Sequence, residues 1–244
     1  MPLRGMNQRV PQPPRVQKLK LRSLAARIIA CERCPRLRTH CRKIAEQKRK
    51  AFQSEVYWAK PVPGFGDPLA RVILVGLAPA AHGANRTGRI FTGDRSGAWL
   101  YRALHQQGFA NQAQSTSCHD GLTLEDAWVT CAVHCAPPDN KPRPAEFTAC
   151  SRYLSEELAI LSPRAVVYIA LGGVALKALW PLISPTGSRR PRFAHGARVA
   201  LGDGRTLLMS YHPSQQNTFT GRLTEPMFDS IFLEARRLLP GTYP

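Results

Sequence analysis

Residues 71–94, RVILVGLAPAAHGANRTGRIFTGD, open with a continuous apolar run, break at a glycine and continue as a polar loop rich in Gly and Arg. An uninterrupted β-branched run has no polar face, so it has the pattern of a strand buried on both sides. Three further runs share this character: residues 127–133 (AWVTCAV), 165–171 (AVVYIAL) and 206–211 (TLLMSY). Helical periodicity occupies residues 96–107, 145–161, 173–179 and 225–239. Strands of this kind separated by helices predict a three-layer α/β/α domain with a central, mostly parallel four-stranded sheet. Residues 192–201 are expected to add a short strand, paired through a turn at residues 202–204 (GDG). In such sheets ligands bind beyond the carboxyl ends of the strands. Three polar loops leave there: residues 76–94, 134–144 (HCAPPDNKPRP) and 212–224 (HPSQQNTFTGRLT).

The 244-residue chain carries 34 Lys and Arg against 16 Asp and Glu, a formal charge of +18. The excess is concentrated at one end. Residues 1–60 hold sixteen basic against three acidic side chains, and the rest of the chain holds eighteen against thirteen. A hydrophobic content of 43% excludes a wholly disordered chain, and no fixed repeat is present. The longest apolar stretch, residues 165–183, contains Gly172, Gly173, Lys177 and Pro181, which divide it into strand, turn and helix instead of a membrane span. So large a basic excess calls for an acidic partner. Nucleic acid is the first candidate; anionic lipid at a short amphipathic helix over residues 17–30, and a merely solvated basic face, are the alternatives. Residues 1–16 (MPLRGMNQRVPQPPRV) read as a disordered basic arm, residues 17–60 as a helical N-terminal segment, and residues 61–244 as the α/β/α core, with 17–244 one structural domain. An Arg-rich, acid-free start also resembles a transit peptide. With no signal-peptide apolar core, the expectation is a cytoplasmic monomer, nucleoid-associated through DNA and without a membrane.

Seven cysteines, an odd count that includes one C-x-x-C, argue for a reducing compartment and metal or cluster ligation over a disulfide framework. Cys31 and Cys34 form the C-x-x-C, which places two thiolates on one turn. Cys135 follows the second strand and Cys150 lies on the next helix, so the four can make one site that staples the basic helices to the core. This spacing suits Zn as well as an iron–sulfur cluster. The plain alternative is a redox pair, with the other cysteines as small buried residues.

Residues 75–97 (VGLAPAAHGANRTGRIFTGDRSG), the downstream HPSQQNTFTGRLT, the lead-in PVPGFGDPLARV at residues 61–72 and the four cysteines together resemble the family 5 uracil-DNA glycosylases. The resemblance covers about residues 31–238, nearly everything except the basic arm. It implies the uracil-DNA glycosylase α/β/α fold and a 4Fe–4S cluster held by Cys31, Cys34, Cys135 and Cys150. It also implies excision of uracil and other deaminated bases, hypoxanthine and xanthine among them, from DNA, leaving an abasic site.

The chemistry sets its own requirements. Breaking an N-glycosidic bond builds positive charge on the sugar and negative charge on the departing base. The site therefore needs a carboxylate near C1′, a donor at a base carbonyl and a flat surface for the extruded base. On the family reading His212 donates to the base O2, Phe91 stacks on the flipped base, and N–H groups around Gly76, Leu77 and Ala78 hold its other carbonyl edge. Asp94 orients the attacking water and offsets the oxocarbenium charge. The loop running from Ser214 and Gln215 through Phe219 to Arg222 enters the duplex at the vacated position. Arg86, Arg89 and Arg95, with the Lys and Arg of residues 15–50, are the expected phosphate anchors. Asn85 and Asn217 either contact base or phosphate or only close turns. Structural alternatives stand beside the catalytic ones: loop capping for His212, core packing for Phe91, and an N-cap of the helix at Ser96 for Asp94.

Two departures from related enzymes shape the expectation. Many uracil-DNA glycosylases carry Asp or Asn in the loop after the first strand, where this chain has Ala78 and Ala80, so the carboxylate role moves to Asp94. Cys131 stands at a pocket-facing position where some relatives carry Asn. A thiol pairs poorly with a uracil edge, which predicts a wide substrate range. A non-catalytic DNA-binding or damage-sensing protein with the same fold and cluster is the competing function. A covalent uracil trap is disfavoured because RTGRIFTGD stands where that branch carries a basic insertion with a nucleophilic His. A phosphate-transferring enzyme is disfavoured because no P-loop pattern follows the first strand.

Overall fold

In the computed structural model, which describes residues 13–241, the elements in chain order are α1 (Pro14–Ile29), α2 (Pro35–Gln47), β1 (Phe65–Gly66), β2 (Val72–Gly76), α3 (Ala84–Thr87), α4 (Arg95–Gln106) and β3 (Ala127–Cys131). They continue with α5 (Pro144–Leu161), β4 (Val167–Leu171), α6 (Gly173–Ile183), β5 (Arg198–Ala200), β6 (Thr206–Ser210), α7 (Gln215–Phe219) and α8 (Glu225–Arg237). The four apolar runs form the parallel heart of the sheet, and every residue of β2, β3, β4 and β6 is buried. The sheet is wider than the expected four strands. Its order is β1-β3-β2-β4-β6-β5, with an antiparallel strand added at each edge. β5 is the strand expected within residues 192–201, shortened to three residues. The two-residue β1 is too short to leave a periodic signal.

Alternation sorts the side chains of the strands into two cores. Val72, Leu74, Val129, Ile169 and Leu208 face α4 and α8, which contribute Leu100, Leu104, Phe228 and Phe232. Ile73, Val75, Trp128, Tyr168 and Met209 face α5 and α6, which contribute Leu154, Leu158, Leu176 and Leu179. The registers Gly76↔Cys131 and Leu171↔Ser210 bring the carboxyl ends of the parallel strands to one edge. That edge is where the polar loops leave.

The N-terminal segment packs on this body. Gln17, Leu21, Leu24 and Ile28 recur at helical spacing on the buried face of α1. Gln17 donates to the Ile160 carbonyl at 3.1 Å, and Arg27 pairs with Glu156, which seats α1 along α5. Pro35 at the first turn of α2 is pre-set for helix and begins it immediately after Cys34. The expected arm, residues 1–16, lies outside the described residues as far as residue 12, and Pro14 already opens α1. Among the described residues no helix is long and apolar enough to cross a membrane.

Gly97, in the first turn of α4, lies so close to the chain that a Cβ there would overlap the Phe91 carbonyl oxygen. A Gly→Ala change at an open helix position would stabilise by about 0.5–1 kcal/mol. Here the overlap of about 1–3 kcal/mol outweighs it. Gly97→Ala is expected to lower the urea midpoint without changing the slope of the transition, as measured by equilibrium unfolding.

Candidate active site and cysteine cavity

Gly76 ends β2 with no side chain, and the space is taken by its neighbours. A Cβ on Gly76 would stand 2.8 Å from Cε2 of Phe91 and 3.1 Å from Sγ of Cys131. Phe91 is thus packed over the strand end with Cys131 behind it, wholly buried, so the thiol expected to face the pocket lies in the core instead. Its ring lies beside that of His212, with centroids 5.6 Å and planes 30° apart. His212 follows β6 by two residues, and its Cβ rests 3.6 Å from where a Cβ of Gly172 would be. The loops after β2 and β6 therefore meet at the end of β3, whereas the third expected loop, residues 134–144, turns away and lines the cysteine cavity through His134 and Cys135. The carbonyls of Gly76 and Leu77 accept from Ala132 and Val133 at 3.0 Å, while the N–H groups of Leu77 and Ala78 donate to no acceptor among the described residues. Burial pushes the His212 imidazole down to about 4, so it is neutral at pH 7. Burial pushes the Cys131 thiol up, so it stays protonated.

Phe91 has a φ of 52°, a left-handed conformation that a bulky residue adopts only under constraint. The constraint comes from both sides. The buried Tyr101 hydroxyl donates to the Ile90 carbonyl at 2.8 Å. Arg89, only 5% exposed, donates to Thr92 Oγ1 at 2.9 Å, Ser115 Oγ at 2.8 Å and Asp120 at 2.6 Å. Asp120 is held well below the usual carboxylate range by that guanidinium and by the N–H groups of Leu122, Thr116 and Ser117, against the opposing effect of burial.

Asp94 follows three residues later and does cap α4, accepting the Gly97 N–H at 2.9 Å. Its other oxygen lies against Gly83, where any Cβ would overlap it. Burial pushes the Asp94 carboxyl up, opposed by the N–H groups of Gly97 and Ser96. Capping thus uses one oxygen and leaves the second for another role.

Arg86 and Arg89 were expected as phosphate anchors, and the structure corrects this. Arg86 is 7% exposed and donates to the His82 carbonyl and the Gly93 carbonyl, each at 2.8 Å, and to Glu55. Its guanidinium also lies 3.9 Å from the Phe52 ring centroid. Both arginines are internal braces whose donors serve the protein. Asn85 is likewise a brace, not a base contact: it is buried and donates to the Cys41 and Ala81 carbonyls at 3.3 Å, tying α2 to α3. Asn217 donates to the His212 carbonyl at 2.8 Å and so supports the histidine from behind.

The loop of residues 212–224 folds as α7, capped by Ser214, whose oxygen accepts the Asn217 N–H. Gln215 is exposed at its start, and Phe219 projects from its end, 66% exposed. Two exposed arginines lie on aromatic rings at this mouth: Arg95 is 4.4 Å from the Phe219 centroid and Arg222 4.5 Å from that of Tyr211. Of the three loop arginines expected to meet phosphate, Arg95 is the one left accessible.

Cys31, Cys34, Cys135 and Cys150 line one cavity, with Ile28, Leu37, Val133 and Tyr153 as its apolar walls. The four come from the α1–α2 turn, the loop after β3 and the middle of α5, as the spacing suggested. Among the described residues no group of three or more His, Cys, Asp or Glu side chains is arranged to hold a single metal ion. The donor set is nonetheless four thiols around a common space, which fits a thiolate-bound group. Arg36 of α2 grips Glu146 of α5 through two bonds of 2.7 Å beside it, and the His134 N–H donates to Cys150 Sγ at 3.4 Å. Cys41 is buried and donates to the Ala136 carbonyl at 3.6 Å, while Cys118 is exposed.

Sequence reasoning missed the braces. Tyr101, Ser115 and Asp120 shape the Phe91 loop from a distance, and Glu55 meets Arg86 across 31 residues. The one available signal was the density of arginines in residues 86–95 beside buried-type residues.

Residues 63–236 match the family described as the uracil DNA glycosylase superfamily. The chain is 52% identical over 211 residues to a type-5 uracil-DNA glycosylase of Thermus thermophilus, a match covering 86% of this chain and 94% of that protein. It is 49% identical over 215 residues to one from Mycobacterium tuberculosis, covering 88% and 80%. With one from Pyrobaculum aerophilum it shares 46% identity over 198 residues, covering 81% and 84%. A family match over most of the chain, and near-half identity across more than four-fifths of it, agree with the pocket at the sheet edge: the chain belongs to the type-5 uracil-DNA glycosylases.

Proposed function

We propose that the protein hydrolyses the N-glycosidic bond of uracil in DNA, and of hypoxanthine and xanthine, leaving an abasic site for base excision repair. The observation that carries this reading is the meeting of a neutral, half-buried His212, the constrained Phe91 ring and the Asp94 carboxylate at one sheet edge. A neutral imidazole still carries one N–H, which donates a hydrogen bond to the base O2 as negative charge develops there. Phe91 supplies the flat wall, and the N–H groups of Leu77 and Ala78 meet the other carbonyl edge. Asp94 uses its second oxygen to orient water and to offset positive charge at C1′. Phe219 fills the stack vacated by the flipped base, and Arg95 and Arg222 meet the flanking phosphates.

We infer that the four cysteines hold a 4Fe–4S cluster, whose part is structural: it joins the basic helices to the core. An all-thiol donor set around a shared, apolar-walled cavity supports this. The protein is read as a monomer of the cytoplasm, drawn to the nucleoid by its +18 charge, with the basic residues ahead of α1 as a tether to DNA and the chain from α1 onward as one domain.

On a labelled duplex with a single uracil, alkali-dependent cleavage is expected, and His212→Ala should slow it by about 100-fold or more. Binding without cleavage on uracil, hypoxanthine and xanthine would leave a DNA-binding module instead. The single-turnover rate should show no step near pH 6.5, where an ordinary histidine titrates. It should fall on acidification as the Asp94 carboxylate, whose affinity for protons burial raises, is neutralised and loses its charge for offsetting the sugar cation. Cys131, wholly buried beneath the Phe91 ring, is closed off from a base edge, so Cys131→Asn is expected to leave the uracil-to-hypoxanthine rate ratio unchanged; a raised ratio would show that this position meets the base. Elemental analysis of the protein purified without oxygen should find iron and sulfide at about four each per chain; zinc in their place would assign the thiols to Zn.

A further inference from the structure

His195 lies between α6 and β5, in a segment to which none of the loops above belongs. Its Nε2 meets the Met227 carbonyl of α8 at 3.1 Å, and its Nδ1 accepts the Tyr211 N–H at 3.1 Å. A carbonyl only accepts, so the ring proton sits on Nε2 and leaves Nδ1 as the acceptor. The imidazole also stacks on the Tyr211 ring, with centroids 5.2 Å and planes 15° apart. Phe193 packs on the same tyrosine at 5.9 Å. A histidine in an outlying segment is thereby fixed through both nitrogens and its face.

Tyr211 directly precedes His212, whose ring makes no hydrogen bond among the described residues. That ring packs beside Phe91, with no side-chain hydrogen bond among the described residues to set its direction. The His212 carbonyl is held by Asn217 at 2.8 Å and the Tyr211 carbonyl by Ser210 Oγ at 2.9 Å, both local ties. The Tyr211 N–H is tied across the fold, through His195 to α8.

We propose that His195 is a positioning residue for His212: by pinning the Tyr211 N–H to α8 it aims the His212 ring into the pocket beside Phe91. Its meaning for catalysis rests on the glycosylase reading above, but the aim of the ring can be read without turnover. Asn at position 195 keeps an acceptor oxygen near the place of Nδ1, Gln puts its amide near Nε2 instead, and Ala keeps neither.

The test uses the full-length protein with His195→Asn, His195→Gln and His195→Ala. It records the single-turnover uracil excision rate, duplex affinity, melting temperature, and the NMR shifts of the His212 ring C–H groups, which the Phe91 ring current displaces. His195→Ala is expected to slow excision by about 10- to 100-fold with duplex affinity held within about twofold, and to shift the His212 resonances. His195→Asn should restore most of the rate and the wild-type resonances, and His195→Gln should not. Should His195→Ala fail to fold, the comparison of Asn with Gln decides alone. Unchanged His212 resonances in both Ala and Gln, or equal behaviour of Asn and Gln, would overturn the proposal. A wild-type protein that excises no uracil would refute the glycosylase reading, and the ring shifts would still decide the role of His195.

Discussion

A strand buried on both faces has no contact with water, so each of its N–H and C=O groups must find a partner in the ladder. β2, β3, β4 and β6 meet this condition at all five of their positions. Polar side chains are thereby excluded from the middle of the molecule and collect where the strands stop. The shared register makes them stop together, which places Gly76, Cys131 and the residues before His212 along one line. Gly76 then matters for what it lacks: its missing side chain admits the Phe91 ring to the strand end. The pocket is thus a product of sheet geometry before any catalytic group is considered.

Charge buried behind the pocket keeps its loops in shape. Arg89 and Asp120 are both largely out of solvent, and removing one partner of such a pair costs about 3–5 kcal/mol because the other is left uncompensated. Arg86 works similarly from the other side, holding the Gly93 carbonyl next to Asp94 while reaching Glu55 of the segment that follows α2. With Asn85 bound to the Cys41 carbonyl, the loop bearing Asp94 and Phe91 is continuous with the helices that carry half of the cysteine cavity. A change in those helices therefore has a short mechanical route to the pocket.

The parallel strands, their flanking helices and the loops at their ends were legible in the sequence because burial on both faces leaves an unbroken apolar run. The four cysteines were legible through spacing and family resemblance. The two edge strands were less so: β1 has two residues, and β5 alternates between exposed and half-buried positions. The arginines misled for a physical reason. Whether a guanidinium faces phosphate or a carboxylate depends on groups such as Glu55 and Asp120, each 31 residues away, and no local pattern encodes that distance. His195 was silent for the same reason, since its partners are 16 and 32 residues further on.

The exposed phenylalanine at the end of α7 has a consequence for the protein between encounters with DNA. A bare aromatic ring at a helix tip invites self-association. Here Arg95 covers the Phe219 ring with a hydrated, charged group, on a molecule whose +18 charge already repels its own copies. Such a cation–π contact at an exposed site is worth about 0.5–1 kcal/mol. Stacking of a nucleobase on an aromatic side chain is worth about 1–3 kcal/mol. On the reading proposed above, a nucleobase arriving at Phe219 would displace the arginine from the face of the ring, so the cover would lift off when DNA takes its place.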